Sequence, residues 1–435
     1  MHERGQRRRV RTRIPAALVA LVALASAQSQ DAGDAEQWVA TWGTAQPLAV
    51  ELRPSWVAPP PSAANEPPSP SPIPPFPQSF VDETVRMVVR ASVGGRRVRL
   101  TLSHALGLGA VRVGAVHVAL RERDSAIVAG SDRAVTFGGQ QAVTLHPGAL
   151  VVSDAVELAV PALAELAISV YLPTDTSDVT THELGLNTSY VVTGNAVSAA
   201  ALPQATTNSS YFWLAGVEVL AASGAGTIVA FGDSITDGFS TTPNAHRAWP
   251  ALLAAKLQSD RATAHWGVVN AGISGNRVRR DLVGTSAAAR FDRDVLGRAG
   301  VRWVVLFEGI NDITFSALPG VPDSERTTVD ELIEALSQLV DRAHARGIKV
   351  LGATLMPMGG LWLHNAETER MRQNVNRWIR TGGKFDAVVD FDAVTRDPQQ
   401  PERLRPDFDS GDHIHPNDAG NAAMAGAIDT AIFNR

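Results

Sequence analysis

The hydrophobic and polar positions follow two different periods along the chain. Up to residue 220, short segments alternate apolar and polar residues and are separated by turn residues, as strands with one buried face do. Evenly spaced strands with almost no helical period predict an all-β domain, a jelly-roll-like sandwich. The strand candidates are residues 38–45, 85–93, 97–103, 111–120, 134–137, 141–145, 156–160, 166–171 and 211–220.

Gly94 and Gly95 separate the candidates 85–93 and 97–103. Paired glycines between alternating segments are a signal for a tight hairpin turn. The pattern therefore predicts that these two strands pair with each other.

From residue 227 onwards, apolar strands alternate with helical patterns. This alternation predicts an α/β domain with an open parallel sheet and helices on both of its faces. Such sheets place their sites at the carboxyl ends of the strands. The strand candidates are residues 227–231, 266–270, 303–308, 349–355 and 387–391, and the helix candidates are 248–258, 287–296, 329–346, 367–381 and 417–432.

The length of 435 residues favours two domains. We expect a β domain over 38–222 and an α/β domain over 227–435, joined by the small-residue linker 221–226. A proline-rich stretch, 54–77, predicts an exposed extended loop inserted into the β domain, because neither a helix nor an inner strand accommodates so many prolines. The β domain could bind carbohydrate, support the second domain or form one wall of its site.

The first 27 residues have the pattern of a secretory signal peptide. An arginine-rich segment up to Arg13 precedes the apolar run 14–25 and the small residues that end at Ala27. We expect cleavage after Ala27 and a secreted protein, extracellular or periplasmic, with an uncleaved membrane anchor as the alternative. No other run of about 18 apolar residues is present, so no integral membrane association is expected after cleavage.

Composition narrows the classes of function. With 45% hydrophobic and 19% charged residues the chain is globular, and its net charge of −5 with no basic face argues against a nucleic-acid partner. The sequence contains no cysteine, which excludes disulfides and cysteine nucleophiles.

Ser234 lies in a tight Gly-Asp-Ser turn directly after the first strand of the α/β domain. A serine nucleophile needs a base, a group that orients the base, and donors for the oxyanion. The second strand leads to Gly275, whose backbone N–H is open to close approach, and the third leads to the side-chain amide of Asn311. Together with the Ser234 N–H, these donors predict an oxyanion hole.

The loop 411–417, before the last helix, supplies the remaining parts. We assign His415 as the general base and Asp412, three residues earlier, as the acid that orients it, with His413 as the competing base. Asp412, His413 and His415 could also bind a metal, but no further cluster completes such a site. We therefore expect no cofactor and no metal.

Other polar and aromatic residues near these segments have structural interpretations. We expect structural or loop-bracing roles for the two aspartates and the asparagine, and packing at a helix start for the tryptophan, with a substrate platform as its alternative. For the arginines we expect a solvated basic loop, with contact to an anionic substrate as the alternative. For the loop histidine we expect a surface position, with a position that reaches the cleft as the alternative. The residues are Asp233, Asn270, Asp312, Trp249, Arg277, Arg279, Arg280 and His182.

Four segments in this order, 231–238, 270–275, 309–312 and 412–416, resemble the conserved blocks of the SGNH hydrolases, the GDSL esterases and lipases. The resemblance covers about residues 227–435 and implies a flavodoxin-like three-layer α/β/α domain. It also implies a Ser234, His415 and Asp412 triad with oxyanion donors at Ser234, Gly275 and Asn311. Glu308 departs from the small or apolar residues familiar there. The front half is similar, more loosely, to the N-terminal domain of some secreted bacterial members, through 38–42 and 89–102.

These inferences predict a secreted serine ester hydrolase that works through an acyl-enzyme. Its expected substrates are short-chain esters, acetyl above all, on small molecules or polysaccharides. A lysophospholipase or arylesterase is the close alternative, and a metal-dependent phosphoesterase is a further one. A non-catalytic carbohydrate-binding protein that kept the fold is the alternative from another class.

Overall fold

The computed structural model of the protein describes residues 1, 36–47, 76–176 and 179–435. The predicted signal peptide beyond Met1 and the predicted proline-rich insertion up to residue 75 lie outside the described residues.

The β-rich half contains two large antiparallel sheets around one hydrophobic core. Its strands are β1 Gln37–Gly43, β2 Glu83–Arg90, β3 Gly95–His104, β4 Val111–Val113, β5 Ala115–Arg123, β6 Ala126–Ile127, β7 Arg133–Val135, β8 Val143–Leu145, β9 Ala149–Val152, β10 Val156–Val160, β11 Glu165–Leu172, β12 Thr181–His182, β13 Ser189–Thr193, β14 Thr206–Asn208, β15 Tyr211–Phe212 and β16 Leu214–Ala221. One sheet has the order β1-β16-β3-β10, with β9 beside β3, and the other has the order β14-β13-β2-β11-β5-β6, with β7 beside β5. Buried residues of β2 and β3 meet in the same core, which confirms the predicted sandwich.

The predicted hairpin between β2 and β3 is wrong, because the two strands belong to different sheets. The chain crosses from one sheet to the other within two residues. The Ala91 N–H donates to Ala164 O, at 2.9 Å, next to β11, whereas the Ser92 N–H donates to Thr41 O, at 2.9 Å, in β1. Gly94 is needed for close packing at this crossing, since a Cβ there would lie 2.7 Å from Val160 O.

The α/β half is built on a five-stranded parallel sheet with the order β18-β17-β19-β20-β21. The strands are β17 Gly226–Gly232, β18 Trp266–Gly272, β19 Val301–Phe307, β20 Lys349–Ala353 and β21 Ala387–Val389. In chain order this is 2-1-3-4-5, the flavodoxin-like order, which confirms the predicted fold class. All five predicted strands form, each within a few residues of its predicted bounds.

Helices cover the sheet in two layers, one containing the packed pair α2 and α8 and the other the pair α5 and α6. The helices are α1 Ser234–Asp237, α2 Trp249–Gln258, α3 Ala287–Phe291, α4 Ile310–Phe315, α5 Val329–His344, α6 Ala366–Thr381, α7 Phe391–Thr395 and α8 Asp418–Ala427. Asp292–Leu296 continues α3 as a π-helical turn, and Asp323–Glu325 and Thr430–Asn434 are 3₁₀ helices. The helix predicted over 417–432 therefore ends five residues early.

The β-rich half packs against β18, the edge strand of the parallel sheet. The Val268 N–H of β18 donates to Ser92 Oγ at 2.8 Å, and the Ala40 N–H of β1 donates to Thr227 Oγ1 at 3.0 Å. The Arg298 guanidinium donates to Thr44 O at 2.8 Å. The contact at Val268 gives a partner to a backbone group of the edge strand that would otherwise be unpaired, and the other two hold the β-rich half to residues further inside the α/β half.

Candidate active site

Ser234, His415 and Asp412 form one hydrogen-bonded series. Ser234 is the first residue of α1, directly after β17, and is 7% exposed. Its Oγ lies 2.8 Å from His415 Nε2, and His415 Nδ1 lies 2.6 Å from Asp412 Oδ2. The structure thus brings together the three residues that the sequence assigned to a nucleophile, a base and an orienting acid.

The Asp412 carboxylate also determines the shape of its own loop. Its Oδ1 accepts the backbone N–H groups of Ile414, at 3.1 Å, and His415, at 2.9 Å. Burial alone would raise the pKa of Asp412, but the hydrogen bonds and charge of His415 and the backbone donors lower that pKa to about 2. Asp412 is therefore a carboxylate at neutral pH and can stabilise an imidazolium at His415.

His413, the competing base, has a carboxylate of its own. Its Nδ1 lies 2.7 Å from Asp409 Oδ2, and its N–H donates to Asp409 Oδ1 at 3.0 Å. The backbone of His413 is left-handed, with φ of 69°. Its ring packs against Gly360, where an added Cβ would lie 2.9 Å from the imidazole. The histidine that contacts Ser234 Oγ is His415.

Gly275 and Asn311 lie at the ends of β18 and β19. Gly275 has φ of +74°, and a Cβ there would lie 2.9 Å from Val283 Cβ, so both its conformation and its surroundings require glycine. Asn311 Nδ2 donates to Asn276 O at 2.9 Å, which ties the amide to the residue next to Gly275. This bond uses one of the two N–H donors of the amide, so the other can donate to a different acceptor.

A buried arginine behind these strand ends was missed by the sequence analysis. The Arg290 guanidinium donates to Gly232 O at 2.9 Å, to Ala271 O at 2.7 Å and to Asn276 Oδ1 at 2.9 Å. It also pairs with Glu308 Oε1 at 3.1 Å. Arg290 thus connects the carboxyl ends of β17, β18 and β19. The unusual Glu308 was the available signal, because a buried acid needs a cationic partner.

Asp233, Glu308 and Asp312 are buried carboxyl groups near these strand ends, and burial is the main cause of their altered acidity. It raises the pKa of Asp233 to about 7 and that of Asp312 to about 6. Burial and the charge of Asp233 raise the pKa of Glu308 well above its ordinary value, against the effect of Arg290. Asp233 Oδ1 accepts the Ile235 N–H at 2.9 Å and caps α1, and Asp312 Oδ2 accepts the Val278 N–H at 2.8 Å.

Asn270 and Trp249 also have structural contacts. Asn270 Nδ2 donates to Thr236 O at 2.8 Å, and its Oδ1 accepts the Gly272 N–H at 2.9 Å. Trp249 is fully buried at the start of α2, with its ring 5.8 Å from that of Phe391. These placements agree with the loop-bracing and packing roles inferred from sequence.

The expectation of a solvated basic loop is wrong for Arg277, which is only 2% exposed. Its guanidinium donates to Glu325 Oε2 at 3.2 Å, and Arg280 lies 4.0 Å from the same carboxylate. Arg279 pairs with Glu331 at 2.9 Å. Acidic residues that follow α4 thus provide partners for these arginines. The spacing of these residues in the sequence did not reveal the pairing.

The expectation of a surface position for His182 is also wrong. His182 is 5% exposed, and its Nε2 lies 2.9 Å from Asp237 Oδ1 at the end of α1. The pairing of β12 with β15 holds this segment inside the contact between the two halves of the chain.

Within the described part of the chain, no group of three or more histidine, cysteine, aspartate or glutamate side chains is arranged to hold a metal ion. The same residues include no helix with the length and hydropathy of a membrane span.

Comparison with known proteins identifies the class of the α/β half. Residues 230–423 match the model of the GDSL-like lipase/acylhydrolase family. This segment is a GDSL-like lipase/acylhydrolase domain, and the protein is a carboxylic ester hydrolase. A search of curated proteins found no match.

Several solved structures are similar to this domain. A variant of Axe2, an acetyl xylan esterase from Geobacillus stearothermophilus, is 24% identical over 47% of this chain and 94% of its own, with a TM-score of 0.38. LAE5, an alpha/beta hydrolase enzyme from the metagenome of Lake Arreo, is 26% identical over 48% of this chain and 96% of its own, with a TM-score of 0.37. A GDSL-like lipase from Bacteroides thetaiotaomicron is 19% identical over 48% and 88%, with a TM-score of 0.35.

Proposed function

We propose that the protein is a serine esterase in which Ser234 is the nucleophile, His415 the general base and Asp412 the acid that orients it. The observation that carries the proposal is the series of contacts from Ser234 Oγ to His415 Nε2, at 2.8 Å, and from His415 Nδ1 to Asp412, at 2.6 Å. The low pKa of Asp412 supports it, because a permanent carboxylate fixes the imidazole tautomer that can accept a proton at Nε2.

In the proposed reaction, His415 Nε2 takes the proton from Ser234 as Oγ attacks the ester carbonyl. The oxyanion accepts hydrogen bonds from the N–H groups of Ser234 and Gly275 and from the Asn311 amide. His415 then gives its proton to the departing alcohol, which leaves an acyl-serine. A water molecule, deprotonated by His415, attacks this ester, and the serine regains its proton when the acid is released.

We propose short acyl groups, acetyl above all, on carbohydrate as the substrate. A short acyl group suits a nucleophile with little accessible surface: Ser234 is 7% exposed, and the Phe239 ring lies over the His415 imidazole, with 4.3 Å between ring centroids. Gly360 packs against the ring of His413, near this site. Trp362, two residues further along the chain, has a large aromatic side chain that is 41% exposed. An exposed indole can cover the apolar face of a sugar ring.

The nucleophile is tested with a small chromogenic acetyl ester and a serine-directed phosphonate. Wild-type protein should hydrolyse the ester and gain the mass of one phosphonyl group. Ser234→Ala should do neither while keeping its thermal unfolding transition, and Ser259→Ala, at the exposed end of α2, should behave as wild type. Full activity in a folded Ser234→Ala variant would contradict the mechanism. Loss of wild-type activity on treatment with chelators would also contradict it.

The substrate is tested with aryl esters of increasing acyl length beside acetylated xylan and lysophospholipid. Acetate release from xylan, with a decline in kcat/KM as the acyl chain lengthens, supports the proposal. Trp362→Ala should then raise KM for xylan more than for the aryl acetate. Release of acyl groups from lysophospholipid, or activity on small aryl esters alone, favours the lysophospholipase or arylesterase alternative. Binding of xylan without any ester hydrolysis would identify a non-catalytic binding protein.

We also propose a β domain over 38–222, a catalytic domain over 227–435, and export after removal of residues 1–27. The positively charged start, the short apolar run and the small residues before position 28 support export. The N-terminal sequence of protein recovered from the extracytoplasmic fraction should begin at Gln28. Recovery of full-length chain in the membrane fraction would instead support an uncleaved anchor.

A further inference from the structure

His182 reaches from the β-rich half into the α/β half with both of its ring nitrogens engaged. Nδ1 lies 2.6 Å from Ala45 O, and Nε2 lies 2.9 Å from Asp237 Oδ1. A carbonyl and a carboxylate oxygen can only accept hydrogen bonds, so both nitrogens act as donors. The geometry is therefore that of an imidazolium paired with a buried carboxylate.

The surroundings of this pair favour the same state. The side chains of His182 and Asp237 are only 6% and 4% exposed. Burial alone would lower the pKa of His182, but the charge and hydrogen bond of Asp237 and the bond to Ala45 O raise it above its ordinary value. The Tyr211 ring stacks on the imidazole, with 6.4 Å between centroids.

Asp237 relates this pair to two segments of the candidate active site. It is the last residue of α1, the one-turn helix that Ser234 begins. Its second oxygen, Oδ2, accepts the hydroxyl of Ser274 at 3.0 Å, and Ser274 directly precedes Gly275. The carboxylate therefore holds the end of the nucleophile helix and the turn that carries the proposed oxyanion donor in one arrangement.

We propose that His182 is a positioning residue for the esterase reaction, which fixes Asp237 so that the Ser274–Gly275 turn presents its N–H to the oxyanion. The proposal rests on the proposed serine esterase function. Other contacts between the halves, such as that of the Val268 N–H with Ser92 Oγ and that of the Arg298 guanidinium with Thr44 O, involve neither Ser274 nor Gly275. Through His182, the β-rich half contributes to the geometry of the reaction as well as to stability.

Two substitutions of similar size distinguish the roles of the two ring nitrogens of His182. In His182→Gln the amide nitrogen replaces Nε2 and keeps a donor for Asp237, whereas in His182→Asn it replaces Nδ1 and keeps only the contact with Ala45. His182→Asn should lower kcat on an aryl acetate roughly 10- to 100-fold, as a small misplacement of a catalytic group does, and should leave KM within about threefold. His182→Gln should recover most of the lost kcat.

Ser274→Ala tests the same connection from the α/β half and leaves His182 in place. It should also lower kcat with little change in KM. The control is His117→Asn, which breaks a histidine–aspartate contact of 2.8 Å within the β-rich half and should leave kcat unchanged. If His182→Asn does not fold, the Ser274→Ala result decides the proposal alone.

Equal kcat values in His182→Asn, His182→Gln and wild type would overturn the inference, as would equal losses in the two His182 variants or an unchanged kcat in Ser274→Ala. These outcomes leave the proposed function intact as long as Ser234→Ala abolishes hydrolysis. Absence of Ser234-dependent hydrolysis in wild-type protein would instead refute the proposed function.

Discussion

Arg290 and Glu308 form an ion pair at 3.1 Å in which neither side chain is exposed to solvent. The pair lies directly behind the strand end that carries Ser234, since the same guanidinium also donates to Gly232 O. A buried pair of this kind contributes to stability only while each member has its partners, and removal of one member leaves an uncompensated charge.

Loss of the arginine should therefore be severe and loss of the acidic charge mild. Arg290→Met removes the side-chain donor to Ala271 O and the cationic partner of Glu308, while Gly232 O keeps the Ile273 N–H at 3.0 Å. We expect the free energy of unfolding to fall by about 3 to 5 kcal/mol, because Glu308 is left without its cationic partner. Glu308→Gln keeps an acceptor for the guanidinium and removes a carboxylate whose pKa burial already raises, so we expect a loss of at most about 1 kcal/mol. Urea denaturation followed by circular dichroism measures both, and equal losses would contradict this account.

Asn311→Ala should act on the transition state rather than on substrate binding. The amide is anchored on Asn276 O at 2.9 Å, so its position does not depend on the substrate. We expect kcat on an aryl acetate to fall by roughly 100- to 1000-fold with KM little changed. Asn374→Ala, on α6, is the matched control and should retain wild-type kinetics. A rise in KM with kcat intact would assign Asn311 to ground-state binding instead.

The two histidines of the loop before α8 should differ sharply in effect. His415→Ala removes the group that contacts Ser234 Oγ, and we expect a loss in kcat on the order of 10⁴-fold or more. His413→Ala removes a ring paired with Asp409, and we expect kcat to stay within about threefold. Steady-state kinetics with thermal unfolding as a check on folding decides between them. A larger loss in His413→Ala would exchange the two assignments.

The strands of the parallel sheet and the positions of Ser234, His415 and Asp412 could be predicted because their signals are local, whereas the flavodoxin-like arrangement of the strands followed only from the resemblance to the SGNH hydrolases. Apolar strands define the sheet, and each of these side chains lies within a few residues of a strand end or of the last helix. The three-residue spacing of Asp412 and His415 lets one carboxylate contact both the backbone and the ring of the histidine.

The buried ion pairs could not be predicted, because their partners are distant in sequence. Arg290 is 18 residues from Glu308, and His182 is 55 residues from Asp237. In the sequence, such arginines and histidines cannot be distinguished from surface residues, because only the fold places a carboxylate next to them. The predicted glycine hairpin was wrong for a similar reason, since Ser92 bonds to Thr41, which is 51 residues away in another sheet.

The contact between His182 and Asp237 should make stability depend on pH in a defined direction. Because the folded-state pKa of His182 is raised above 6.5, the imidazolium contributes its full stabilisation below pH 6.5 and loses it as pH rises through the folded-state pKa. Besides Asp237, the groups that face the ring are Glu183 and Tyr211, and all three remain in a His182→Gln variant.

The difference in free energy of unfolding between wild type and His182→Gln should therefore be largest at mildly acidic pH and shrink as pH rises. Urea denaturation at several values between about pH 5 and about pH 9 measures this difference. In an Asp237→Asn background the carboxylate that raises the pKa is gone, so the same comparison should lose most of its pH dependence. A difference that grows with rising pH would show that His182 is neutral in the folded protein.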